Sequence, residues 1–249
     1  MKKHIPNFIT TLNLICGCAG IGLAIKEEFA LASYSIGIAA FFDILDGLLA
    51  RMLHVKSEMG KELDSLADLI SFGMLPGIIL YFLLNRNLSS EEGFIAYLPF
   101  IAFLIPVFSA LRLAKFNTDD RQSDCFIGVP TPAIALFVAS IPLILINPIA
   151  EMPILATIFS NPIVLILLIL ALSYLLVSPF RLFSFKFKKF SWKEHKIIIL
   201  FIITAIILLV LFRYFAVPVV FFLYIVFSFI HNSTQISKQN IVDNGEMKV

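Results

Sequence analysis

Long apolar runs, broken by short polar or Pro/Gly-containing stretches, cover most of the chain. They lie near 6–25, 30–53, 58–84, 94–116, 130–147, 153–178, 196–212 and 216–231, and they predict eight helices. Crossing about 30 Å of hydrocarbon takes about 20 apolar residues, which these runs approach or exceed. The fifth and sixth runs are the most interrupted, by Pro142, Pro148, Pro153 and Pro162. Membrane helices tolerate such prolines where neighbours satisfy the freed carbonyls. The pattern predicts an all-α, polytopic transmembrane helix bundle.

Composition strengthens this. The chain is 59% hydrophobic and 14% charged, with a mean hydropathy of +0.96 and 26 phenylalanines. Soluble domains are about half apolar and about a quarter charged, so a soluble globular enzyme is excluded. The net charge of +2 forms no basic stripe, so no nucleic-acid partner is expected. Cys16, Cys18 and Cys125 make no metal or disulfide framework. No cleavage site of the A-x-A type follows the first apolar run.

Basic residues orient the bundle. With a cytoplasmic N-terminus, 16 of the 19 Lys and Arg fall at cytoplasmic ends. Only Lys26, Arg86 and Arg213 fall outside. That asymmetry fits eight spans with both termini inside. The stretch "RLFSFKFKKFSW" from Arg181 alternates basic and aromatic residues and reads as an anchor on anionic headgroups, with Trp192 in an interfacial belt. The tail after His231 is polar and expected to be disordered.

Four carboxylates stand out against this background. Asp43 and Asp46 fall in the cytoplasmic half of the second helix, and Asp64 and Asp68 near the cytoplasmic start of the third. At about 100° per residue, Asp43, Asp46, Gly47 and Ala50 share one arc, with Arg51 at its edge. Ser57, Gly60, Asp64, Ala67, Asp68 and Ser71 share another. Both acidic faces are small-residue faces, which permit close helix approach or leave room for a ligand. An Asp at the centre of a membrane helix costs about 2.5–3.5 kcal/mol. Four must therefore face water, cations, or one another in protonated form. One such Asp could be a structural polar contact; four on matched faces call for function. Clustered hard oxygens suit Mg²⁺ or Mn²⁺, and two ions would use all four. Acids along a transport pathway would be spread through the membrane depth, whereas these share one level.

The stretch reads D-x-x-D-G-x-x-A-R, eight residues, then G-x-x-x-D-x-x-x-D, and resembles the signature of the CDP-alcohol phosphatidyltransferases without departure. The flanks "IPNFITTLNLICG", "ELDSLADLISFG", "LRLAKFN" and "FIGVPTP" are similar to bacterial members that use serine as the alcohol. The resemblance covers about residues 5–180 and implies a six-helix core. The implied layout is a core at 1–180, a basic-aromatic loop at 181–195, two additional helices at 196–231 and a tail at 232–249. The implied reaction converts CDP-diacylglycerol and L-serine to phosphatidylserine and CMP. Asp43, Asp46, Asp64 and Asp68 would hold two Mg²⁺ or Mn²⁺ ions, with Asp68 also the general base. Gly47, Arg51 and Ser57 match positions that contact the CDP group, and Asn7, Thr10, Ala50 and Gly60 complete that set. Arg112, Lys115 and Asn117 are nominated for serine or phosphate, against the alternative that they are ordinary positive-inside charge. Glycerol 3-phosphate or inositol phosphate as acceptor would keep the fold and metals but call for a richer basic pocket. The resemblance further implies a homodimer in a bacterial inner membrane, with the site facing the cytoplasm. His4, His54, His195 and His231 sit at helix ends or in loops and are given no catalytic role.

Overall fold

The structure is a computed structural model and describes residues 4–55, 57–88, 91–118, 126–146, 153–182 and 196–230. Lys2, Lys3, Lys56, Arg121, Cys125, the basic-aromatic loop from residue 183, His195 and the polar tail lie outside the described residues. The described residues are overwhelmingly helical, as the apolar pattern predicts. Two compact units emerge: Met1–Thr118 with Pro130–Val177, and Asp119–Val129 with Ser178–Val249.

In the first unit, α1 (His4–Ile25) packs along α2 (Phe29–Met52). Next, α3 (Glu58–Asp68) runs through a π-helical turn, Leu69–Met74, into α4 (Leu75–Leu88). A 3₁₀ segment, Gly93–Phe103, leads into α5 (Leu104–Thr118). Then come α6 (Thr131–Ile146), α7 (Pro153–Ser160) and α8 (Pro162–Val177). In the second unit, β1 (Phe126–Ile127) pairs antiparallel with β2 (Arg181–Leu182), and α9 (Lys196–Phe212) is followed by helix α10 at 216–230.

Two tight turns align the first three helices. After α2, the Val55 N–H donates to the Ala50 carbonyl and the His54 N–H to that of Arg51, with His54 at φ 53°. This is the Schellman closure, with histidine where glycine is usual. After α1 the same pair recurs: Glu28 N–H to Leu23 and Glu27 N–H to Ala24, with Glu27 at φ 59°. Ser57 then starts α3 as its N-cap, accepting from the Gly60 N–H at 3.0 Å.

Three local departures from plain α-helix have identifiable causes. The π turn lies against both α1 and α5. A Cβ at Gly17 would overlap the Ser71 hydroxyl, and one at Gly73 would come within 3.1 Å of Ser109. The 3₁₀ segment contains Pro99, and its three-residue period stacks Phe100 and Phe103 on one side. Both rings pack on Tyr81, with centroids 5.3 and 5.5 Å away. Finally, the expected sixth span is bent by 81° between α7 and α8. Asn161 caps α8 there, its Oδ1 accepting from the Ile163 N–H, and Pro162 holds the first helical position.

The chain from Ile199 to Ile230 is apolar enough to cross a membrane, but it is not straight. Phe201 packs on Tyr224 with centroids 5.8 Å apart. In one straight helix those residues would be about 34 Å apart. Arg213, at φ 50°, is the reversal point. The last two apolar runs therefore form a helical hairpin; among the described residues five helices, or six with the bent pair taken as one span, are long and apolar enough to cross a membrane, against the eight expected.

Candidate active site

The site is built from the N-terminal half of α1, the C-terminal half of α2 and α3. The α2–α3 turn runs these helices antiparallel, so residues equally far from it face one another. Asp43, Asp64 and Asp68 each bring a carboxylate oxygen within 4.8 Å of the others. Each like-charge pair at that separation costs about 3–4 kcal/mol at an effective dielectric of about 20. The Oδ1 of Asp64 is buried and has no hydrogen-bond partner. The donor set is thus all carboxylate and crowded, which fits a hard divalent ion.

Asp46 stands beside this trio. It is 6% exposed, and Thr10 donates to its Oδ2 at 2.6 Å. Asp68 is met from α1 instead, where the Asn13 side-chain N–H lies 3.4 Å from its Oδ1.

A cavity of about 520 Å³ opens beside the carboxylates. Of the expected binding residues, Asn7, Thr10, Gly47, Ala50, Ser57 and Gly60 all line it, together with Asp46 and Asp64. Gly47 leaves its wall open: a Cβ there would meet nothing closer than an Arg51 nitrogen at 4.0 Å. Gly60 instead makes room for neighbours, since a Cβ would lie 2.8 Å from the Ser57 hydroxyl and 2.9 Å from Asn7 Oδ1. Arg51 is exposed and does not line the cavity; its Nε donates to the Gly47 carbonyl at 2.9 Å.

The three residues nominated on α5 separate. Asn117 reaches α3, donating to the Ser65 hydroxyl at 2.9 Å while its carbonyl accepts from Lys61 Nζ at 2.8 Å. Arg112 is buried, at 6% exposed. Lys115 is exposed. The sequence reading missed Asn13, and it also missed Lys61 and Glu58, which line the cavity. A signal for Asn13 was present: Asn7, Thr10 and Asn13 recur every three residues in a largely apolar helix.

The family model of the CDP-alcohol phosphatidyltransferases matches residues 3–177. The chain belongs to this family. The match ends at the last residue of α8 and leaves the α9–α10 hairpin outside it. Several relatives carry the name CDP-diacylglycerol–serine O-phosphatidyltransferase. The one from Bacillus subtilis is 32% identical over 188 residues, covering 74% of this chain and 92% of its own. Those from Helicobacter pylori and Methanocaldococcus jannaschii are 37% and 38% identical, covering 53% of this chain and 54% and 57% of theirs. The chain spans about half the length of most curated relatives it matches. Family members use divalent metals, and the acidic cluster is a group that could hold one.

Proposed function

We propose that the protein transfers the phosphatidyl group of CDP-diacylglycerol to the hydroxyl of L-serine, giving phosphatidylserine and CMP. The observation that carries this is the convergence of the Asp43–Asp64–Asp68 cluster with a cavity lined by the signature's own small residues. The relatives' names supply serine as the alcohol.

Asp43, Asp46, Asp64 and Asp68 would hold two Mg²⁺ or Mn²⁺ ions. Bound there, such ions supply Lewis-acid neutralisation of diphosphate charge. The cavity takes the CDP group: Gly47 and Ala50 give a flat base room, and Asn7, Thr10, Ser57 and Gly60 frame its polar edge. Arg51 is assigned to the phosphates, whose oxygens its guanidinium suits. Asp68 accepts the serine hydroxyl proton as that oxygen attacks phosphorus. The new P–O bond forms as the bond to CMP breaks, and CMP leaves with its electron pair. Of the three α5 residues, buried Arg112 is the one assigned to the serine carboxylate. The protein works as a homodimer in a bacterial inner membrane, with the site at the cytoplasmic face.

Purified protein given CDP-diacylglycerol and labelled serine should release CMP and form labelled phosphatidylserine. EDTA should abolish this, and Mg²⁺ or Mn²⁺ should restore it. Removing a general base costs about 10²–10⁴-fold, so Asp68→Asn should lose at least that much of kcat. Full activity in Asp68→Asn would overturn the base, and CMP release with glycerol 3-phosphate but not serine would overturn the acceptor. The sedimented mass of the detergent-solubilised chain tests the dimer.

A further inference from the structure

We infer that Asn13 belongs to the acceptor side of this site, its amide N–H holding Asp68 and its Oδ1 accepting a hydrogen bond from the α-ammonium of the amino alcohol. The inference rests on the transferase reading above.

Asn13 is 0% exposed. The amide turns its N–H toward Asp68 Oδ1, 3.4 Å away, and its own Oδ1 elsewhere. That Oδ1 is buried and has no partner. Buried acceptors without partners are rare in native interiors, and each calls for an explanation such as a ligand. Relaxation of the helix does not supply one. The backbone carbonyl of Asn13 accepts from the Ser71 hydroxyl at 3.0 Å, and bare Gly17 lets Ser71 sit against α1. The helix backbone at Asn13 is thereby held against the span that carries Asp68.

Position decides which ligand. Thr10 lines the nucleotide cavity and Asn13 does not. Asn13 lies one helical step farther, about 4.5 Å along α1, next to the carboxylate proposed to take the proton. Phosphoryl transfer places the attacking and leaving oxygens roughly in line. A group beyond the carboxylates from the CMP cavity is therefore on the side from which the alcohol attacks. A neutral amide oxygen suits an N–H donor and offers nothing to a carboxylate or phosphate.

Steady-state CMP release by the full-length protein tests this, with serine or 3-hydroxypropionate, which lacks the amino group, as acceptor. Losing a hydrogen bond to a charged group is worth about ten- to a hundredfold, so Asn13→Ala should raise the serine KM by that factor. It should also erase the preference for serine over 3-hydroxypropionate, leaving the CDP-diacylglycerol KM within about twofold. Asn13→Ser, which restores an acceptor, should recover part of the preference, and it carries the same test if the alanine protein does not fold. An unchanged serine KM, or an equal rise in the CDP-diacylglycerol KM, would overturn the inference. So would a shift in the Mn²⁺ activation constant as large as that in the serine KM, since that would make Asn13 a metal ligand. A wild-type protein that releases no CMP with any alcohol sinks the transferase reading itself. An active wild type with unaltered Asn13 variants sinks only the acceptor contact.

Discussion

Two glycines of the signature do different jobs. Gly47 faces open cavity and Gly60 faces the Ser57 and Asn7 side chains. Gly47→Ala should therefore not destabilise the protein and should add about 0.5–1 kcal/mol of helix propensity, because the new methyl touches no protein atom. The same methyl projects where the nucleotide is proposed to lie, and should lower kcat/KM at least about tenfold. Gly60→Ala should disturb the protein itself, displacing the Ser57 cap at a cost of about 1 kcal/mol and moving Asn7 from the cavity wall. Thermal unfolding in detergent and CMP release, measured on both variants, separate the two. A fully active Gly47→Ala would mean the nucleotide does not occupy this cavity. The acids were legible in the sequence because carboxylates are costly in hydrocarbon and stand out by type and phase. Asn13 was harder to see: an amide in a membrane helix is less conspicuous, and its meaning depends on Asp68 lying across from it.

At the scale of the element, helix positions follow from apolar length, but their ends and irregularities do not. The closures after α1 and α2 place Glu27 and His54 at positive φ, where sequence rules look for glycine. A non-glycine residue in that region costs about 1–2 kcal/mol. Glu27→Gly and His54→Gly should each stabilise the protein by about 1 kcal/mol, partly offset by glycine's freedom in the unfolded chain. Both side chains are exposed and neither lines the cavity, so activity should be retained. A lower melting temperature in both variants would refute the strain argument. The π turn after Asp68 had no sequence mark, because residues distant in the chain, Gly17 and Ser109, shape it. The Asn161–Pro162 break was half legible: its prolines were visible, but not which of them would bend the span.

At the scale of the whole molecule, two independent arguments converge on one orientation. Unit by unit, basic residues divide between helix ends: Arg51, Lys61 and Lys115 lie toward the carboxylate end of the first unit, and Lys26 and Arg86 toward the other. Positive charge favours the cytoplasm, and the proposed amino-acid acceptor and nucleotide product are soluble there too. Single cysteines placed in a background lacking Cys16, Cys18 and Cys125 test this with a membrane-impermeant maleimide. Glu28→Cys and Glu91→Cys should label in intact cells, and Met59→Cys and Thr118→Cys only after permeabilisation. All four positions are exposed at helix ends. Arg213→Cys adds a separate test of the second unit. At the tip of a hairpin it should label from outside, whereas a straight span from Ile199 to Ile230 would hold it near mid-bilayer and unreactive. Labelling of Met59→Cys in intact cells would place the carboxylates on the outer face, away from cytosolic serine, and would overturn the orientation on which the proposed reaction depends.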